Sequence, residues 1–158
     1  MSEKKTNAMR ILEKHKVAYQ TLHYSIDEEH LDAVTVAKEV GKDIALVYKT
    51  LILQGSDRNY YVCVINGADE LDLKKTAKAF DLKSIDMIQV KDINKITGYI
   101  RGGCSPIGMK KLYPTLFDKK AQDLEYIVVS GGRRGIQMEV KTCELVALSD
   151  GRYADIIK

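Results

Sequence analysis

Two β-rich runs separated by a short turn signal limit the folds open to this chain more than any other feature. Residues 47–54 and 60–66 are dominated by β-branched, aromatic and leucine side chains, with Gly55-Ser56-Asp57-Arg58-Asn59 between them. That pattern predicts a β-hairpin. Residues 125–130 and 136–141 flank Gly131-Gly132-Arg133-Arg134-Gly135 in the same way. Adjacent hairpins imply antiparallel pairing. Further strands are expected at residues 17–24, 85–90, 115–118 and 152–157.

Between these runs the periodicity changes to that of helices. Thr6 or Asn7 caps a first helix with Ala8, Met9, Ile11 and Leu12 as its apolar stripe. Asp32 caps a second, with Val34, Ala37 and Val40 inward and Gly41 as its stop. Residues 25–30 between them read as a polar loop. Asp43 starts a short turn. Asp72 caps a helix reaching Phe80, with Leu73, Ala77 and Phe80 inward. Residues 92–97 and 142–148 read as short helices, and residues 99–108 as a structured loop. The mixed order predicts an α+β domain spanning residues 1–158. Its largely antiparallel, curved sheet is expected to close into a β-barrel surrounded by helices.

The formal charge of +3 permits contact with phosphates without requiring it. The three cysteines, Cys63, Cys104 and Cys143, cannot all pair within one chain, and their spacing suits no zinc module. They fit a reducing compartment. The N-terminus lacks the apolar core of a signal peptide, and no apolar run approaches the roughly 20 residues that span a bilayer. A cytoplasmic protein with no membrane contact is the expectation.

Common catalytic templates are missing. There is no His-Glu-x-x-His, no phosphate-binding loop and no dinucleotide fingerprint. His15, His23 and His30 read as surface residues, so no metal or other cofactor is expected. Cys63 and Cys143 read as structural, and Cys104 is left as the candidate for a thiol dyad.

Three features stand out instead. Gly102-Gly103-Cys104-Ser105-Pro106-Ile107-Gly108 is a loop whose main-chain N–H groups suit a developing oxyanion; an ordinary tight turn explains it too. Ser130-Gly131-Gly132-Arg133-Arg134-Gly135 reads as a hairpin turn, with arginines that are either solvated or hold phosphates of a ligand. Lys49 lies in an otherwise apolar strand, where it protects an edge or faces a pocket. Tyr24, ending the first strand, could line that pocket or pack as a core aromatic. Lys74, Lys75 and Lys78 form the polar side of a helix, either a solvated face or a steering surface for RNA.

Four segments in this order, Val47-Tyr48-Lys49-Thr50-Leu51, Leu71-Asp72-Leu73-Lys74-Lys75, the Gly102–Gly108 loop and Val129-Ser130-Gly131-Gly132-Arg133-Arg134-Gly135, resemble the YbaK/EbsC family, and most of all its YbaK branch of Cys-tRNA(Pro) deacylases. The resemblance implies the mixed β-barrel of the prolyl-tRNA synthetase editing domain. It implies cleavage of the ester between a wrongly attached amino acid and tRNA(Pro), in trans, with prolyl-tRNA synthetase as a partner. It makes Lys49, Gly102 and Gly103 the catalytic candidates. Tyr24, Cys104, Ser105, Ser130, Gly131 and Arg133 become the substrate-binding ones. A deacylase of Ala-tRNA(Pro) and a non-catalytic module binding a tRNA end or a synthetase are the alternatives. The chain departs from the branch at Gln137, where an aspartate is common; an amide is no general base.

Overall fold

The computed structural model describes residues 4–25 and 32–158. Its elements run α1 (Asn7–Lys14), β1 (Tyr19–His23), α2 (Ala33–Val40), β2 (Tyr48–Gly55), β3 (Tyr60–Asn66), α3 (Leu73–Ala79) and β4 (Ile85–Met87). Then follow α4 (Ile93–Thr97), β5 (Thr115–Asp118), β6 (Tyr126–Ser130), β7 (Ile136–Lys141), α5 (Thr142–Leu148) and β8 (Arg152–Ala154). The predicted caps hold the helices. The Thr6 hydroxyl accepts from the Met9 N–H, Asp32 from that of Thr35 and Asp72 from that of Lys75. Gly41 ends α2 in the left-handed conformation that a Cβ would disfavour.

Both hairpins form. Strands β2 and β3 pair antiparallel from Tyr48↔Asn66 to Gln54↔Tyr60, and β6 and β7 from Tyr126↔Lys141 to Ser130↔Gln137. They belong to separate sheets, ordered β1-β7-β6 and β4-β2-β3-β5-β8. The second is mixed, since β3–β5 and β5–β8 pair in parallel. The architecture is therefore α+β as expected, but neither sheet closes into a barrel. Between the described strands of the two sheets, closure would need a continuous ladder. An isolated parallel bridge, Val47↔Val128, stands there instead.

Lateral support for β2 is uneven, and this positions the site. Along one edge β2 pairs with β3 throughout; along the other, β4 covers only Leu53 to Gly55. The opposite edge from Tyr48 to Leu51 has no second strand ladder. Alternation turns odd and even residues to different edges. The Val47 carbonyl accepts from Gly67, whereas the Ile52 carbonyl accepts from Ile88 on the β4 side. The main-chain groups of Thr50 thus point to the open edge.

Packing follows the same alternation. Tyr48, Ile52, Val62 and Val64 join Leu12, Phe117, Met138 and Leu145 in one core, while Leu53, Cys63, Ile65, Ile85 and Leu116 form another with Ala77. A third cluster, Ala37, Val47 and Val128, lies under α2. Some inward assignments fail. Val34 and Leu73 are exposed because each is the residue at or next to its helix start, where the stripe has not turned inward. Cys143 is exposed on α5 and is no core residue, while Cys63 is fully buried. Strand β4 stops at Met87 and β8 at Ala154, both short of expectation. Most of the predicted 25–30 loop lies outside the described residues. Among the described residues no helix is long and apolar enough to cross a membrane.

Candidate active site

The open edge of β2 forms one wall of a cavity of about 490 Å³. The other walls are Ala33 and Val36 of α2, Ile88, Val90 and Ile93 before and in α4, Arg101, Gly102 and Cys104 of the first glycine loop, and Ser130 and Gln137 of the second hairpin. Lys49 and Tyr24 line it as well. This volume lies in the range of small-molecule sites, roughly 300–1,000 Å³. Five of the residues singled out in the sequence, Tyr24, Lys49, Gly102, Cys104 and Ser130, thereby meet around one hollow.

The Lys49 ammonium donates to the carbonyl oxygen of Gly67 at 3.3 Å. That carbonyl follows the end of β3, where the Asn66 side-chain amide donates to the carbonyls of Ile44 (2.8 Å) and Val47 (3.3 Å) and fixes the turn. An ammonium has three protons, so further donors remain for a ligand. The described lining contains one carboxylate, Asp32, and it is engaged as the cap of α2, accepting from the Thr35 N–H at 2.9 Å and from the Thr35 hydroxyl. With Lys49 and Arg101 on the same lining, the cavity favours groups that carry or develop negative charge.

Among the described residues of the lining, no group stands out as a strong base or nucleophile. Burial, with Asp118 nearby, pushes the Tyr48 phenol up to about 12, so it stays protonated. Burial likewise pushes the Cys104 thiol up, against a smaller opposing effect of the Thr97 hydroxyl 3.9 Å away. A thiol held neutral is a poor nucleophile. Gln137 is 93% buried, only 7% of it being exposed, and its Oε1 has no hydrogen-bond partner; the hydroxyl of Thr50, also on the lining, has none either.

Four of the proposed residues do not reach the cavity lining. Gly103 is buried behind it, and its N–H donates to the Ile100 carbonyl at 2.8 Å, so that N–H is spent inside the loop and unavailable to an oxyanion. Its lack of a Cβ serves packing instead: a Cβ there would stand 2.9 Å from Arg133 Cα. Ser105 is fully buried. Gly131 is buried, with its N–H donated to the Ile136 carbonyl at 2.9 Å, as a hairpin requires. Arg133 donates to the Lys4 carbonyl at 2.8 Å, and Arg134 to the Arg101 carbonyl at 2.8 Å, so the second loop braces the first. The Thr6 hydroxyl completes the brace by donating to the Gly131 carbonyl at 2.5 Å. Gly103→Ala should therefore force the loops apart and destabilise the fold by about 1–3 kcal/mol, read as a lowered thermal midpoint.

The lysines of α3 lie elsewhere. Lys75 pairs with Asp155 at 3.2 Å and donates to the Ile157 carbonyl, clamping the C-terminal segment. His15 and His23 are exposed, and His30 lies outside the described residues. Sequence reasoning missed Gly67, Arg101 and Thr50. Only the Asn66-Gly67 turn signal, directly after an apolar strand, could have marked the first.

A model of the aminoacyl-tRNA editing domain matches residues 27–148. The chain belongs to the aminoacyl-tRNA editing domain family. A relative from Enterococcus faecalis, provisionally named Cys-tRNA(Pro)/Cys-tRNA(Cys) deacylase EbsC, is 45% identical over 155 residues, 98% of this chain and 94% of the relative. Solved structures share the fold of this editing domain. One, provisionally described as a trans-editing enzyme for prolyl tRNA synthetase, superposes with a TM-score of 0.82 at 21% identity, covering 99% of each chain. A hypothetical protein superposes with a TM-score of 0.87 at 18% identity, covering 96% of this chain and 99% of its own.

Proposed function

We propose that this editing domain is a trans-acting deacylase that releases a wrongly attached amino acid, foremost cysteine, from tRNA(Pro). The observation that carries the reading is the cavity whose lining brings Lys49 and the open edge of β2 together with Gly102, Cys104 and Ser130. The 45% identity to the EbsC relative supports the choice of substrate.

An aminoacyl ester is already activated, so holding it and stabilising its oxyanion supply most of the rate. Lys49 offers its remaining protons to the ester carbonyl oxygen. The Thr50 N–H, on the open edge, is the second donor and takes the part that Gly103 cannot. With a cysteinyl ester, the substrate thiol attacks its own carbonyl. The C–S bond forms as the bond to the 3′ oxygen breaks, and the thiol proton passes to that oxygen. A thiolactone and free tRNA result. With other aminoacyl esters, water attacks instead. The unpartnered Oε1 of Gln137 accepts a hydrogen bond from the substrate but takes no proton. Prolyl-tRNA synthetase, the source of such mischarged tRNA, is the partner this reading supplies.

The test is deacylation of Cys-tRNA(Pro), Ala-tRNA(Pro) and Pro-tRNA(Pro) by the purified chain. Cys-tRNA(Pro) should be cleaved fastest, because its own thiol supplies the nucleophile. Binding of all three without turnover would overturn the reading in favour of a tRNA-end binding module. Cys104 should be dispensable as nucleophile. Cys104→Ser is expected to keep turnover within about threefold of the parent, since its thiol is neutral and buried. A complete loss with the fold intact would contradict this.

A further inference from the structure

The mouth of the cavity carries a feature that the deacylase chemistry leaves unused. Met87, Val90 and Ile100 are 48%, 54% and 48% exposed. Met87 and Val90 line the cavity, and Ile100 directly precedes Arg101, which lines it too. Neighbouring apolar residues of the same segment are buried, Ile85 and Ile96 among them. Single exposed aliphatics need no explanation, but several gathered at the mouth of a cavity do. Cations are interleaved with them, Lys91 next to Val90 and Arg101 next to Ile100, both exposed. The acids nearby are placed apart. Asp92 lies 3.8 Å from Lys95, and Asp86 points to the face of β4 opposite Met87.

We infer that this lip binds the single-stranded nucleotides preceding the terminal adenosine of the tRNA, its aliphatic groups covering an unpaired base while Lys91 and Arg101 meet the phosphates. The inference rests on the deacylase reading and adds the path of the polynucleotide to it. A cavity of about 490 Å³ takes an aminoacyl group with its adenosine, and the rest of the strand must leave through the mouth. A strand with exposed bases binds where surfaces that cover its bases lie beside cations that track its backbone, and at this lip Met87, Val90 and Ile100 offer the covering surface. A duplex would present phosphates alone, and the aliphatic groups would then have nothing to cover. The lip also connects to the chemistry. Met87 ends β4, Val90 opens the 3-10 turn that leads into α4, and Ile93 of α4 lines the cavity wall.

The experiment compares kcat/KM for cysteinyl esters of adenosine and of the trinucleotide CpCpA, in the parent chain and in Lys91→Glu and Ile100→Asp. Both substituted side chains are exposed, and matching thermal midpoints check the fold. The parent should prefer the trinucleotide by about tenfold, a gain that shrinks as salt rises. Each variant should lose about five- to tenfold on the trinucleotide ester and keep the parent rate on the adenosine ester. Equal rates of the parent on the two esters would overturn the inference while leaving the deacylase intact. So would variants that lose equally on both. Turnover of neither ester would remove the deacylase reading, and this inference with it.

Discussion

Replacing Lys49 with alanine should lower kcat/KM for Cys-tRNA(Pro) by about 100- to 1,000-fold, the usual loss when one preorganised oxyanion donor is removed. The loss should fall mainly on kcat, because the ammonium acts on charge that develops only in the transition state. Its position argues for this size of effect. Among the described residues the other cation lining the cavity is Arg101, which is exposed, whereas Lys49 is half buried and held by the Gly67 carbonyl. Sheltered charges interact more strongly than solvated ones. Lys49→Met keeps most of the aliphatic stem and separates packing from charge; it should be as inactive as the alanine variant while keeping the parent's thermal midpoint. Lys49→Arg should recover little, because a planar guanidinium cannot reproduce the point-like geometry of an ammonium against one carbonyl. Wild-type turnover in Lys49→Met would show that the amine takes no part.

The hairpins were legible in the sequence because local chemistry decides them. Gly55 to Asn59 and Gly131 to Gly135 contain the turn residues, and the apolar runs beside them form strands in whichever sheet they join. The helix caps were legible for the same reason, since Thr6, Asp32 and Asp72 each satisfy an N–H three residues on. Closure was not legible. Whether two hairpins join edge to edge depends on contacts distant in sequence, and here Val47 and Val128 make one bridge where a ladder was expected. The site was legible in part. Lys49 stood out as a charge in an apolar strand, and the loop glycines as breaks in pattern. Which glycine faces the cavity was hidden, because Gly102 and Gly103 differ only in where the chain turns. The Gly102 φ is +82°, and Gly103 is pressed against Arg133. Residues that matter through their main chain, such as Gly67 and Thr50, leave no mark in the side-chain pattern.

Gly67→Ala should damage both stability and turnover, and Ala33→Gly should reverse much of that damage. Gly67 has no positive φ, so its backbone is open to alanine and the obstacle is space alone. A Cβ there would lie 2.2 Å from the Cβ of Ala33 and 3.4 Å from the Val47 carbonyl oxygen. Atoms cannot share the first distance, so either the start of α2 retreats or the turn after β3 moves. The turn is tied on both sides: Gly67 donates to the Val47 carbonyl at 2.9 Å, and the Asn66 side chain holds Ile44 and Val47. Overpacking of this kind costs about 1–3 kcal/mol, which lowers the thermal midpoint of a chain this size by about 3–10 °C. Either movement disturbs the site, since Ala33 lines the cavity and the Gly67 carbonyl positions Lys49. Small displacements of a positioning group cost rate steeply, and turnover should fall about tenfold or more. Ala33→Gly alone should cost little more than the helix propensity of one residue, about 1 kcal/mol. In the double variant the offending Cβ is gone, so the two effects should compensate rather than add, with a coupling of about 1–2 kcal/mol. Simple additivity would mean that the strain lies against Val47 and not against α2. The Lys49 ammonium would then be displaced through its own strand, and the activity loss would persist in the double variant.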